Sequence, residues 1–131
     1  MNKKEWMKSV KKRLEEESFK DMDLSFHDSR KVPYSFEIIS YQGNEPEETN
    51  IIKYETNLLI CQNLSENFWK PRIVIEAKLS SVTTHDAITY SQKSATHKNV
   101  HPFLRYGILI GNRKHYPLPG RLFRHGAQKI R

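Results

Sequence analysis

The stretch of sequence that decides the fold runs over residues 54–80 and reads YETNLLICQNLSENFWKPRIVIEAKLS. It holds two short runs of large aliphatic residues, LLI and IVI, separated by polar residues. Runs of this length and composition predict two β-strands, which we place over residues 51–62 and 71–79. The IVI run contains no polar residue, which favours a buried position for the second strand.

The second strand ends in the triplet Glu76-Ala77-Lys78. Residues 76 and 78 of a strand point to the same side, so a carboxylate and an ammonium would lie together. Phosphodiester cleavage commonly uses a divalent cation that polarises the phosphate and activates water. Mg²⁺ prefers oxygen ligands, which Glu76 and the Ala77 carbonyl would supply. Lys78 would hold or deprotonate the water and offset negative charge. The alternative interpretation is a salt bridge at the end of a strand.

Position 57 precedes the LLI run, nineteen residues before Glu76. Pairing of the two strands would bring Asn57 beside Glu76. Neither residue type is specific to one chemistry, so the interpretation depends on this predicted pairing and on the elements around it.

The remaining elements are assigned from periodicity and from turn residues. Apolar residues at four-residue spacing predict a helix over 3–20, and β-branched and aromatic residues predict a strand over 34–42. Beyond the decisive stretch, the sequence predicts a loop over 21–33, an acidic turn over 43–50, a polar connection over 63–70, a helix over 83–98 capped by Thr83 or Thr84, and a strand over 104–110. The order is α-β-β-β-α-β, which predicts a mixed α/β fold with helices on a central sheet.

Length and composition limit the class of protein. The chain has 131 residues, which predicts a single domain over 1–131. No apolar run is long enough to cross a membrane, and the N-terminus has no signal-peptide core. The single cysteine, Cys61, cannot form a disulfide framework. These features predict a reducing, cytoplasmic location.

The net charge of +7 is unevenly distributed. No acidic residue follows Asp86, and residues 99–131 carry seven Lys and Arg residues. This bias favours a surface that binds phosphates, with a solvated basic tail as the alternative. The region 111–131 is predicted to be mostly loop without a closing element, so the chain could be a fragment or could complete itself against a partner subunit.

The motif and the order of elements resemble the PD-(D/E)xK nuclease superfamily, the fold shared by many restriction endonucleases. Its pattern is an acid at the start of one apolar strand followed by acid-x-Lys on the next, and Glu76-x-Lys78 matches the second half. The resemblance covers roughly residues 5–111. It implies a restriction-endonuclease-like core, a central mixed sheet flanked by helices, and a metal site that includes position 57.

Asn57 stands where the resemblance places the first metal-binding acid. Its amide oxygen can contact a cation but lacks the negative charge. Three explanations remain open: an engineered Asp-to-Asn change, a natural nuclease-like protein that does not cut, and a replacement charge from Glu55, two residues earlier on the same predicted strand face.

The resemblance also implies roles for other residues. A glutamate of the first helix often lies near the metals in this superfamily, and Glu17 is the candidate; a solvated helix end is the alternative. Gln92 and Lys93, on the helix after the motif, are candidates for contacts with DNA phosphates. The basic residues of the C-terminal region are interpreted as a DNA-facing loop: Arg113, Lys114, Arg121 and Arg124.

The sequence therefore predicts a metal-dependent DNA endonuclease of restriction type that uses Mg²⁺, with Mn²⁺ as a substitute. Its catalytic residues would be Asn57, Glu76 and Lys78. The partner would be double-stranded DNA, and cleavage of two strands favours a homodimer. The main alternative is a catalytically silent DNA-binding domain with the same fold. A basic α/β domain that binds RNA or an acidic protein is a third interpretation.

Overall fold

A computed structural model describes residues 2–17, 22–79 and 83–111. The fold is mixed α/β, as predicted. Its elements in chain order are α1 (Lys3–Glu16), β1 (Leu24–Asp28), β2 (Lys31–Gln42), β3 (Glu45–Glu55), β4 (Leu58–Ser65), β5 (Phe68–Leu79), α2 (Thr84–Val100) and β6 (Arg105–Gly111). Neither of the helices in these ranges is long and apolar enough to cross a membrane.

Both helices begin at reciprocal capping interactions. The Asn2 side chain accepts the Glu5 backbone N–H while Glu5 accepts the N–H of Asn2, and Thr83 and Asp86 do the same for α2. The predicted cap at Thr83 is confirmed. Helix α1 ends at Glu16, because Glu17 has an extended backbone; the prediction had continued this helix to residue 20.

The main sheet has four strands in the order β1-β4-β5-β6. Strand β4 is antiparallel to both β1 and β5, whereas β5 and β6 are parallel. Helix α2 makes the connection between the two parallel strands, because parallel neighbours cannot be joined by a tight turn. The sheet is therefore mixed, as predicted.

The two faces of this sheet bury different residues, as the two-residue repeat of a strand requires. Leu58 and Ala77 pack beneath α1 against Met7. On the other face, Leu59 and Val74 belong to the main core. The remaining members of that core are Val32, Cys61, Leu104 and Tyr106.

Several predictions about strand boundaries were wrong. The predicted acidic turn over 43–50 belongs mostly to β3, which begins at Glu45. The predicted loop 21–33 contains β1 and the start of β2, because Phe26 is buried in a short, otherwise polar strand. The predicted strand 51–62 is two strands, β3 and β4. The chain turns between them at Thr56, whose N–H and hydroxyl both donate to the Arg30 carbonyl oxygen, at 2.8 and 2.6 Å.

The predicted polar connection over 63–70 is a hairpin turn. Strand β4 continues to Ser65, β5 begins at Phe68, and Asn67 takes the left-handed backbone conformation that the tight turn needs, with φ of 63°. Both strands therefore continue past the core into an exposed hairpin that includes Leu64, Phe68 and Trp69.

Strands β2 and β3 form a separate two-stranded sheet, so the predicted strand 34–42 is not part of the central sheet. The order along the chain is α-β-β-β-β-β-α-β and not the predicted α-β-β-β-α-β. They join at a tight turn in which Gly43 has φ of 62°. The base of this hairpin packs against α2, where the Tyr34 and Tyr54 rings stack with centroids 3.8 Å apart and both lie edge-on to His97. The hairpin covers one side of the main core through Val32.

Candidate functional site

The predicted site residues meet where β4 begins and β5 ends. Asn57 lies in the connection just before β4, and the neighbouring pair Leu58 and Ile75 is the last in the antiparallel register. The Asn57 amide oxygen Oδ1 accepts a hydrogen bond from the Ala77 backbone N–H at 2.8 Å. The predicted approach of position 57 to the Glu76-Ala77-Lys78 triplet is confirmed.

Glu76 is a buried carboxylate with an aromatic partner. The residue is 4% exposed. Burial raises the pKa of Tyr90 on α2, and the Glu76 charge raises it further. The Glu76 Oε1 accepts a hydrogen bond of 2.6 Å from the Tyr106 hydroxyl. Burial and the nearby Glu76 charge raise the pKa of Tyr106 far above its usual value, so this hydroxyl remains a donor. Tyr106 therefore fixes the orientation of the carboxylate.

Lys78 pairs with α2 and not with Glu76. Its Nζ lies 3.5 Å from Asp86 Oδ1. Burial raises the pKa of Asp86, but the Thr83 hydrogen bonds and the Lys78 ammonium outweigh burial and keep that pKa below its usual value. Within the described ranges no ion pair joins Glu76 and Lys78, so the expectation that the two charged groups lie together is corrected.

An open cleft of about 270 Å³ lies beside Asn57. Lys3 and Lys4 line it from the first turn of α1, the end of a helix that favours anions. Asp28 and Glu55 line it as well, so the cleft carries charges of both signs. No pattern in the sequence had placed these lysines near position 57.

Glu55 reaches the same cleft by a different route from the predicted one. It ends β3, whereas Asn57 lies in the connection to β4. The two residues therefore do not share a strand face, and that expectation was wrong. Both residues nevertheless line the cleft. Glu55 is also the carboxylate nearest to position 57 in the sequence.

Glu17 is not brought to this site. It follows the last residue of α1, is exposed, and lines another pocket together with Glu15 and Asp23. Lys3 at the opposite end of the helix lines the cleft, and fourteen helical residues span about 21 Å. The predicted accessory role of Glu17 is therefore not compatible with its position.

The predicted DNA-contacting residues fall into two groups. Gln92 is an exposed residue of α2, and the Lys93 ammonium lies 5.4 and 5.9 Å from the ring centroids of Tyr54 and Tyr90. The other candidates lie outside the described residues: Arg113, Lys114, Arg121 and Arg124.

Metal-binding side chains are sparse at the site. Among residues 2–17, 22–79 and 83–111, no three His, Cys, Asp or Glu side chains come together as a possible metal site. The two motif positions supply the Glu76 carboxylate and the amide oxygen of Asn57. Both groups are oxygen ligands of the kind that Mg²⁺ prefers. The motif has two carboxylates, however, and here the second carboxylate and its negative charge are missing.

His97 and His101 form a separate buried pair on α2. His97 is fully buried, and its Nδ1 lies 3.1 Å from the Pro33 carbonyl oxygen. Its Nε2 and the Nδ1 of His101 are both buried without a hydrogen-bond partner. Burial lowers the pKa of both rings, and the positive charge of Lys93 lowers that of His97 further.

We expect acid to destabilise the protein partly through His97. Because its pKa is lower in the folded state, the unfolded state binds more protons below about pH 6.5. The free energy of unfolding then falls as the pH falls, by at most about 1.4 kcal/mol per pH unit for one histidine. Urea unfolding between pH 7.5 and 5 should show a shallower pH dependence in His97→Gln. The exposed His85→Gln serves as control, and equal slopes in all three proteins would refute the assignment.

Comparison of this chain with protein-family models, with curated proteins and with solved structures returns no match.

Proposed function

We propose that the protein is a metal-dependent DNA endonuclease of restriction type with a PD-(D/E)xK-like core. The order of elements supports this proposal: α1, β1, β4, β5, α2 and β6 follow the pattern α-β-β-β-α-β, with the β2–β3 hairpin inserted after the first strand. Position 57, just before β4, would supply the first half of the motif, and β5 carries the second half, Glu76-x-Lys78.

The observation that carries the proposal is the 2.8 Å hydrogen bond between Asn57 Oδ1 and the Ala77 N–H. It places position 57 directly against the Glu76-x-Lys78 triplet, which a nuclease of this type requires of its first acid. Two distant parts of the sequence thus meet at the ends of two neighbouring strands, next to an open cleft.

Glu76, the Asn57 amide oxygen and the Ala77 carbonyl would hold the cation. A bound Mg²⁺ would polarise the scissile phosphate and lower the pKa of a water molecule. Tyr106 keeps the Glu76 carboxylate oriented, and Asp86 restrains the Lys78 ammonium. Lys78 would stabilise negative charge that develops on the phosphate. Lys3 and Lys4, at the cleft, would attract the DNA backbone.

Cation binding tests this proposal without relying on turnover. We expect Mn²⁺ to bind weakly to the natural sequence, about tenfold more tightly to Asn57→Asp, and not to Glu76→Gln, because each carboxylate adds charge and a ligand. Isothermal titration calorimetry measures the affinities. Gln92→Ala, on the exposed side of α2, is the matched control.

The same titration with Glu55→Gln tests whether this neighbouring carboxylate supplies the missing charge. If it does, Glu55→Gln lowers the affinity as strongly as Glu76→Gln; if not, the affinity is unchanged. Equal Mn²⁺ affinities for the natural protein, Glu76→Gln and Asn57→Asp would count against a metal site at the strand ends.

A catalytically silent DNA-binding domain is the second candidate. The identity of residue 57 favours it, because asparagine keeps the hydrogen bond to Ala77 while removing the charge that a metal needs. This function predicts duplex binding that weakens with salt and does not depend on Mg²⁺. It also predicts that restoring a carboxylate at position 57 produces no cleavage.

A further inference from the structure

The distal part of the β2–β3 hairpin, residues 36–51, extends past the body of the protein; we call it the arm. Nearly all of its residues are exposed. The base of the hairpin is anchored by Val32, which is buried in the main core. A two-stranded ribbon is at best marginally stable in water without a third layer. The arm therefore needs a covering surface.

The pairing register places the large apolar side chains of the arm on one face. Val32 and Tyr54 are cross-strand partners that face the body. By alternation along β3, Ile51 and its partner Phe36 face away from the body, on what we call the outer face. Ile38 follows Phe36 on that face.

A β-bulge keeps the next apolar residues on the outer face. Ile38 pairs with Thr49 and Ser40 pairs with Glu48, so Ile39 is the extra residue in β2. Because of this inserted residue, side chains after Ile39 point to the face opposite to the one that regular alternation would give them. Tyr41, and not Ser40, therefore lies on the outer face. Without the bulge, the apolar side chains would divide between the two faces.

The resulting apolar stripe is large for an isolated surface. Its members are between 44% and 60% exposed: Phe36, Ile38, Ile39, Tyr41 and Ile51. With about 200 Å² for each side chain, roughly 500 Å² of apolar surface faces solvent. Patches of about this size are commonly interaction sites. Two copies of the stripe in contact would bury roughly 1,000 Å², the lower limit for a specific interface.

The charged residues of the hairpin are unevenly distributed between its tip and its base. Residues 36–51 contain four glutamates and no basic residue, and three of the glutamates lie at the tip: Glu45, Glu47 and Glu48. At the base, Lys53 shares the outer face with Ile51, two residues away. The opposite face is polar, with Asn50 Nδ2 donating to Glu37 Oε2 at 3.4 Å. An acidic, apolar surface repels the DNA backbone and fits a protein.

We infer that the outer face of the arm binds the same face of a second copy of this chain. A two-fold axis through the middle of the stripe stacks Phe36 of one copy near Tyr41 of the other. The same axis places the tip of each arm, with the unpaired Glu47, over the base of the other arm, next to Lys53. The surface is thus complementary to itself in both apolarity and charge, as a two-fold interface requires. This pairing is independent of the metal site and of DNA cleavage.

Oligomeric state in solution tests this interface on the full chain. Sedimentation equilibrium from 1 to 200 μM should give twice the chain mass of 15.5 kDa at the upper concentrations. Ile38→Glu buries a charge in each half of the interface, and we expect dimerisation to weaken by about a hundredfold or more. Gln42→Glu adds the same charge near the tip on the polar face and should leave the dimer intact.

Charge reversal tests the orientation of the two copies. Lys53→Glu should weaken the dimer, and adding Glu47→Lys should restore it if tip and base meet. Each variant changes exposed residues, so its unfolding temperature as a dilute monomer should stay that of the natural chain. If the unmodified chain remains monomeric at 200 μM, the inference is overturned, and the arm would then be expected to bind a different protein. An Ile38→Glu variant that dimerises normally would also overturn it, and charge reversals without mutual rescue would overturn the two-fold orientation.

Discussion

Asn57→Asp is expected to convert the protein into a Mg²⁺-dependent nuclease that cleaves duplex DNA. The substitution replaces an amide nitrogen by an oxygen and leaves the shape of the side chain unchanged. One aspartate oxygen can keep the hydrogen bond from the Ala77 N–H. The other adds the negative charge that position 57 lacks. We expect the rate of cleavage to rise by about a hundredfold or more over the natural sequence, because the second carboxylate completes the oxygen ligands of the cation.

Cleavage is measured on supercoiled plasmid and on a mixture of linear duplexes, with Mg²⁺, with Mn²⁺ and with a chelator. Glu76→Gln and Lys78→Met, each combined with Asn57→Asp, should return the rate to background. Asn99→Ala in the same background, at an exposed position of α2 with no proposed role, is the control for a change on α2 outside the strand ends. Cleavage that persists in the Glu76→Gln combination would reveal a contaminating nuclease.

Thermal stability gives a second readout of the same substitution. Without metal, Asn57→Asp places a second carboxylate against the β5 end that carries the buried Glu76, and like charges repel. We therefore expect a lower unfolding temperature in the presence of a chelator and its recovery with Mg²⁺, because a ligand that binds only the folded state stabilises it. A variant that neither cuts DNA nor responds to Mg²⁺ would exclude the nuclease and leave the silent DNA-binding domain.

The elements with a strong apolar pattern were predictable. The LLI and IVI runs become β4 and β5, their pairing brings Asn57 to Ala77, and the capped helix after them connects to a parallel strand. These features depend on local periodicity and on the short list of ways to join neighbouring strands. For the same reason, the mixed α/β class could be recognised without the structure.

Features that depend on tertiary contacts were not predictable. Strand β1 has one buried apolar residue, Phe26, and pairing with β4 rather than its own composition makes it a strand. The break between β3 and β4 exists because Thr56 bonds to the distant Arg30 carbonyl. Each depends on a partner more than twenty residues away, which no local pattern reveals.

The same limit applies to the site. Spacing predicted that Glu76 and Lys78 lie together, but the partner of each comes from another element: Tyr106 from β6 and Asp86 from α2. Asp86 had a visible role as a helix cap, and its second role follows only from the packing of α2 over the strand ends. Tyr106 carried no signal beyond its place in the last strand.

Glu76 is expected to contribute more to cation binding than to folding. A carboxylate that is 4% exposed loses most of its hydration, and its hydrogen-bond donor is the neutral hydroxyl of Tyr106. Replacing a buried charge by a neutral group of the same shape is often neutral or stabilising. We expect Glu76→Gln to change the free energy of unfolding by less than about 1 kcal/mol, towards higher stability, while it removes cation binding. Chemical unfolding and Mn²⁺ titration of the same sample measure both.

Substitution of Tyr106 tests whether its hydroxyl holds the Glu76 carboxylate in place. Tyr106→Phe removes the hydrogen-bond donor but keeps the ring, and leaves the Glu76 carboxylate buried without it. We expect the free energy of unfolding to fall by about 2–3 kcal/mol. This is the usual contribution of a hydrogen bond to a charged group, together with the cost of leaving a buried acceptor without a donor. In the Glu76→Gln background the same change should cost about 1 kcal/mol, so the double-mutant cycle gives a coupling of at least about 1 kcal/mol. If the two substitutions are additive, Tyr106 does not hold the carboxylate. If Glu76→Gln alone costs more than about 2 kcal/mol, the buried carboxylate is part of the fold, and its conversion to a metal ligand would need a different arrangement of the strand ends.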